Sequence, residues 1–252
     1  MDRGDAPARG MTAPVVIIAG SDPSGGAGLS RDIDTLARLD GTARPVVTAV
    51  TAQTDGAVKR IACLPPAMVT AQLDAALTGC PPGAVKIGML GSAAIAEAVA
   101  GRLAAEGAPI VLDPVLAASS GATLLDRAGR EATIRTLFPN TYLLTPNLPE
   151  AAALTGRPAA KDADGIACQA EMLLALGPRF VLIKGGHASG EAAVDRLFSV
   201  HGLVASLNAP RRSGTRRGTG CMLATAIAAF LARGRDAADA CRAAKEVVWR
   251  EL

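Results

Sequence analysis

The chain has 252 residues, half of them hydrophobic and 19% charged, with a net charge of +3. This excludes a disordered chain, which needs low hydrophobicity and high charge, and supplies ample material for a core. Four Phe, one Trp and one Tyr are too few flat side chains to stack a single strand's bases, and Arg211-Arg212 with Arg216-Arg217 make no broad stripe for a duplex.

In chain order, residues 1–10 mix Asp and Arg with small residues and contain no apolar run, so 1–12 is expected to be a disordered leader rather than a signal peptide. Short, mostly β-branched runs predict strands at 15–19, 46–50, 85–87, 110–112, 142–144 and 180–183. Longer alanine-rich segments predict helices at 29–39, 67–77, 93–105, 127–137 and 163–176. Runs at 194–198 and 203–207 around Val200-His201-Gly202 predict an antiparallel hairpin, and helices at 219–232 and 236–249 follow. The longest apolar stretch, 222–232, is interrupted by Thr225 and too short to cross a bilayer. With no linker or repeat, 13–252 reads as one α/β domain: a mainly parallel sheet covered on both faces, with an antiparallel edge hairpin.

Ligands bind beyond the carboxyl ends of such strands, and several ends are chemically suggestive. Residues 20–28 read Gly-Ser-Asp-Pro-Ser-Gly-Gly-Ala-Gly. They match neither a Walker A loop nor the dinucleotide G-x-G-x-x-G pattern, yet four glycines in nine residues let a ligand approach the backbone at a helix start. Gly218-Thr219-Gly220-Cys221 opens an apolar helix. Its N–H groups and dipole suit a phosphoryl group, and a first-turn thiol is expected to have a lowered pKa. The plainer alternative is an inert cysteine in a glycine turn, which is the expectation for Cys63, Cys80, Cys168 and Cys241. An odd number of scattered cysteines without a C-x-x-C pair points away from disulfides and structural zinc, and towards a reduced, cytoplasmic protein.

Asn147 and Glu150 are three residues apart at a strand-to-helix junction. Their oxygens could share a hydrated Mg²⁺, or simply form a helix cap. Asp113 could hold a metal-bound water or cap a turn. Gln53 offers a donor and an acceptor to a heterocycle edge, or is a surface loop residue. Lys184, before two glycines and His187, could meet a phosphate or be an ordinary strand-end lysine.

Together the segments AGSDPSGGAG (19–28), TAVTAQTDGAV (48–58), VKIGMLGS (85–92), VLDPVLAASSG (111–121), LLTPNLPEA (143–151), VLIKGGH (181–187) and GTGC (218–221) resemble the ribokinase-like family. Within it they are similar to the bacterial hydroxymethylpyrimidine/phosphomethylpyrimidine kinases of thiamine biosynthesis, from about residue 15 to 249. The resemblance implies a three-layer α/β/α fold, ATP as co-substrate, Mg²⁺ and a homodimer. The implied reaction is phosphorylation of 4-amino-5-hydroxymethyl-2-methylpyrimidine, then of its monophosphate. By that analogy Gln53 hydrogen-bonds the aminopyrimidine, and Gly20, Asp22, Ala27 and Met89 line its pocket. Gly218, Thr219 and Gly220 form an anion cradle, with Cys221 as base. Asn147 and Glu150 match an N-x-x-E magnesium motif with Asp113 nearby, while Lys184 and Thr145 serve ATP.

The chain departs from the family just before the cradle. An Asn/Thr/His-containing stretch is usual there, whereas 212–217 reads Arg-Ser-Gly-Thr-Arg-Arg, and Met222 stands where Thr is common. Arg217 or Arg216 is expected to compensate by binding ATP phosphates. Competing expectations are a pyridoxine- or pyridoxal-type kinase, a monophosphate-only kinase, and a non-catalytic pyrimidine-binding relative.

Overall fold

Alternation of apolar side chains sets the layers. In β1 (Val15–Ser21), Val16 and Ile18 pack on one face while Val15, Ile17 and Ala19 pack on the other, as the period of two in a strand requires. The computed structural model describes residues 13–185, 192–211 and 217–252. The expected leader, His187 and Arg216 lie outside those residues.

The elements that follow are α1 (Gly28–Arg38), β2 (Ala43–Gln53), β3 (Val58–Cys63), α2 (Pro66–Leu77), β4 (Ala84–Ile87), α3 (Ala93–Leu103) and β5 (Ile110–Leu112). Next come α4 (Arg127–Thr136), β6 (Leu143–Leu144), α5 (Leu148–Thr155), α6 (Ala163–Leu174), β7 (Phe180–Ile183), β8 (Ala192–Ser199), β9 (Gly202–Pro210), α7 (Thr219–Leu231) and α8 (Ala237–Glu251). The strands form one sheet in the order β3-β2-β1-β4-β5-β6-β7-β8-β9. The six from β2 to β7 are parallel, and β3, β8 and β9 run antiparallel to their neighbours.

The expected hairpin is β8–β9, at one edge. At the other edge, β3 is an addition to the sequence expectation. Lys59 and Arg60 break its apolar pattern, and an edge strand needs little burial to pair. Helices α2 to α6 cover one face of the sheet, and α1, α7 and α8 the other. In α7 every residue from Met222 to Leu231 is buried, so this helix is the central one of its layer, apolar all round. No helix among the described residues is long and apolar enough to cross a membrane.

Candidate active site

The carboxyl ends of the parallel strands place two groups of side chains on either side of the α7 N-terminus. The first group lies at the ends of β1 and β2. Gly28 has φ +58°, and a Cβ there would lie 2.3 Å from the Gly20 carbonyl oxygen, so only glycine lets the loop fold back so closely. Asp22 is the hub of this loop. Its Oδ1 accepts from Ser24 N at 2.9 Å and Ser24 Oγ at 2.7 Å. Its Oδ2 accepts from Gln53 Nε2 at 3.0 Å and Arg217 Nη2 at 3.3 Å.

A carboxylate accepts and does not donate, which fixes the Gln53 amide with its nitrogen towards Asp22 and leaves Oε1 as the other prong. Gln53 is the last residue of β2 and half-buried, so the surface-loop alternative does not hold. Met89 packs with Ala49 and Leu124, ringed by Val58, Ile61, Val115 and Ala118. Thr48 Oγ1 donates to the Met89 carbonyl at 2.6 Å, and a Cβ on Gly20 would lie 2.8 Å from Met89 Sδ. Gly20 therefore adjoins Met89, and Asp22, two residues on, holds Gln53. Ala27 starts α1 against the α7 turn, its Cα 3.3 Å from where a Gly218 Cβ would be.

The second group lies at the ends of β5, β6 and β7. Lys184 Nζ donates to Asp113 Oδ1 at 2.7 Å and lies 3.8 Å from Glu150 Oε2. Asn147 and Glu150 form the capping box of α5, each side chain accepting from the other's backbone N–H at 2.8 Å. Burial pulls the Lys184 ammonium down, but Asp113 and Glu150 outweigh it and hold it above its usual range. Burial, reinforced by Asp113 and opposed by Lys184, pushes Glu150 up to about 7. One ammonium thus faces two carboxylates in a site mostly shielded from water, an arrangement that favours a further cation.

Between the groups stands α7. Its N-cap, Gly218, has φ +75°, and a Cβ there would lie 2.2 Å from the Gly26 carbonyl oxygen. A Cβ on Gly220 would lie 3.3 Å from Lys184 Nζ and 3.6 Å from Asp113 Oδ2. The first helical bond runs from Met222 N to Gly218 O, and the N–H groups ahead of it have no intrahelical carbonyl. With the dipole's positive end, they make an anion cradle open to both groups.

Beneath the cradle lies a wholly buried knot. Lys86, in β4, has its Nζ 2.6 Å from Asp32 Oδ2 of α1, and Thr225 of α7 donates to Asp32 Oδ1 at 2.7 Å. Lys86 reaches there because alternation along β4 turns Val85 and Ile87 to one face and Lys86, like Ala84, to the face of α1 and α7. Burial lowers the Lys86 pKa, but Asp32, which also accepts its hydrogen bond, and Asp113 outweigh it and keep the ammonium charged.

One expectation needs correction. Burial pushes the Cys221 thiol up to about 11, not down. Lys86 and the Gly28 N–H oppose the rise, but Asp32 and Asp113 add to it, so helix position alone does not make a thiolate. Thr145 is fully buried, and its hydroxyl donates to Asp113 Oδ1 at 3.2 Å, which orients that carboxylate. Arg217 turns to the β1–β2 group, donating to Asp22, Ser24, Thr54 and Asp55, because those acceptors surround it there. The residues that sequence reasoning missed are Asp32, Lys86 and Thr225. The available signal was a lysine within Ala84–Ile87, whose four residues are all buried.

A family model for phosphomethylpyrimidine kinase matches residues 22–252. The chain belongs to the phosphomethylpyrimidine kinase family. Among curated relatives, a hydroxymethylpyrimidine/phosphomethylpyrimidine kinase of Rhizobium meliloti is 40% identical over 93% of this chain and 88% of its own length. One from Streptomyces coelicolor is 42% identical over 96% of this chain and 90% of its own. A crystal structure of phosphomethylpyrimidine kinase from Clostridium difficile superposes with TM-score 0.83 at 35% identity, covering 95% of this chain and 99% of that one. Pyridoxal kinase from Staphylococcus aureus in complex with ADP superposes with TM-score 0.85 at 31% identity, covering 95% and 87%. Membership in the phosphomethylpyrimidine kinase family makes this chain a kinase on the ribokinase-like α/β/α architecture.

Proposed function

We propose that the chain transfers the γ-phosphoryl group of ATP to 4-amino-5-hydroxymethyl-2-methylpyrimidine and then to its monophosphate, in thiamine biosynthesis. The observation that carries this is the Gln53–Asp22 bond at 3.0 Å. It aims an acceptor, Oε1, at the ring's amino group beside the aliphatic wall of Ala49, Met89 and Leu124. A few convergent polar atoms against an apolar wall is how small heterocycles are selected.

Phosphoryl transfer depends mainly on positioning and charge neutralisation. Thr219, Gly220 and Cys221 present backbone N–H groups to the group in flight, each well-placed donor contributing about 3 kcal/mol. Lys184, held by Asp113, neutralises ATP oxygens. Glu150, Asp113 and Asn147 would hold Mg²⁺, which neutralises nucleotide charge and takes one or two carboxylates while keeping several waters. The fit rests on the geometry: two carboxylates, Asp113 and Glu150, gathered in a shielded site around the single ammonium of Lys184.

Cys221 adjoins the cradle as a neutral thiol and takes the hydroxymethyl proton only through its small thiolate fraction. The monophosphate is largely ionised and needs no such base. A homodimer in the cytoplasm belongs to the same reading, and light scattering tests the dimer.

Pure protein with ATP and Mg²⁺ is expected to release ADP with the pyrimidine and with its monophosphate. Faster turnover with pyridoxal would sink the assignment. So would saturable pyrimidine binding without turnover.

A further inference from the structure

Arg217 leaves the turn before α7 and lays its guanidinium along the β1–β2 side of the site. Nη1 donates to Asp55 Oδ1 at 2.9 Å, Ser24 Oγ at 3.2 Å and the Thr54 carbonyl at 3.2 Å, while Nη2 donates to Asp22 Oδ2 at 3.3 Å. Gly26 leaves room for it, since a Cβ there would lie 3.2 Å from Nη1. The guanidinium shares Asp22 Oδ2 with Gln53, and its own backbone adjoins the cradle at Gly218. It is therefore joined through Asp22 to the residue proposed to read the ring, and adjoins in sequence the turn that opens the proposed phosphoryl cradle.

Its present partners are unequal. Asp55 is 85% exposed at its side chain, and an ion pair so open to water is weak and screened by salt. Asp22 is 5% exposed and already serves Ser24 and Gln53. A phosphate monoester brings nearly two charges and three strong acceptor oxygens, and a guanidinium fork matches such a group bidentately.

We infer that Arg217 is a specificity residue for the phosphorylated acceptor. In the second step it exchanges Asp55 for the oxygens of the monophosphate while keeping Asp22, and so distinguishes the two acceptors. This rests on the two-step function proposed above. It also separates Arg217 from ATP, whose candidate contact is Lys184 on the other side of the α7 N-terminus.

The test measures kcat and KM for each acceptor, and KM for ATP, in the wild-type chain, Arg217→Ala, Arg217→Lys and Asp55→Ala. In Arg217→Ala the KM for the monophosphate is expected to rise about tenfold or more relative to that for the unphosphorylated pyrimidine, for a lost charge-assisted pair. Arg217→Lys should fall between, and Asp55→Ala should lower the monophosphate KM. An equal rise for both acceptors, or a rise confined to ATP, overturns the inference alone. A wild-type chain that phosphorylates neither acceptor overturns the two-step function as well. If Arg217→Ala does not fold, Arg217→Lys and Asp55→Ala report the same ratio with the side chain's charge retained or its competitor removed.

Discussion

The two sides of the α7 N-terminus solve different problems. On the β1–β2 side one carboxylate, Asp22, organises an amide, a hydroxyl and a guanidinium through four hydrogen bonds of 2.7–3.3 Å. On the β5–β7 side Lys184 sits between Asp113 and Glu150, and burial and charge acting together displace Lys184 and Glu150 upwards from their ordinary pKa values. The first arrangement selects by the direction of donors and acceptors. The second works by charge, which is what polyphosphate chemistry requires. On the proposed function, specificity and catalytic power fall to separate strand ends and meet at Gly218–Cys221.

The largest effect should come from the part both sides share. Gly218→Ala forces a Cβ against the Gly26 carbonyl at a φ of +75°, and is expected to lower kcat for both acceptors by about 10²–10³, as for loss of an oxyanion-type donor. Equal activity in the variant would show that the cradle is not where the phosphoryl passes.

Next, crossed variants should separate the sides. Lys184→Met is expected to reduce kcat about 10²-fold with little change in pyrimidine binding. Gln53→Leu should weaken pyrimidine binding by about 10- to 100-fold with the ATP KM nearly constant. Calorimetry and steady-state kinetics on both variants would show whether the effects cross over; if each variant harms both ligands alike, the division is wrong.

The smallest effect is a pH profile. The Cys221 thiol is pushed up to about 11, so it is protonated at neutral pH and its thiolate grows about tenfold per unit as pH rises towards that value. The first phosphorylation should therefore accelerate from pH 7 to 9. The second should stay nearly flat there, because a phosphate monoester ionises near pH 6. A first step that is also flat would remove Cys221 as the base.

What the sequence revealed was local. Glycines flanking Asp22 and opening α7, and polar residues at the ends of apolar runs, mark the site because backbone approach and strand direction are local properties. The knot of Asp32, Lys86 and Thr225 was not legible, since its partners lie 54 and 193 residues apart. The orientation of Arg217 was equally hidden, as Asp22 stands 195 residues away. The Cys221 shift was misjudged for a related reason. A helix dipole can be read from four residues, whereas the opposing burial and the Asp32 and Asp113 charges come from elements brought together only by folding. The strand β3 was missed because its pairing with β2 leaves so little apolar pattern behind.

The knot under the cradle has a consequence for how the enzyme can move. Separating Lys86 from Asp32 would leave a bare charge in the protein interior, at about 3–5 kcal/mol, which resists any sliding of α1, β4 and α7 past one another. Rearrangement around arriving substrates is left to the surface loops, and the floor acts as a pre-set electrical background that need not reorient as phosphorus changes partners.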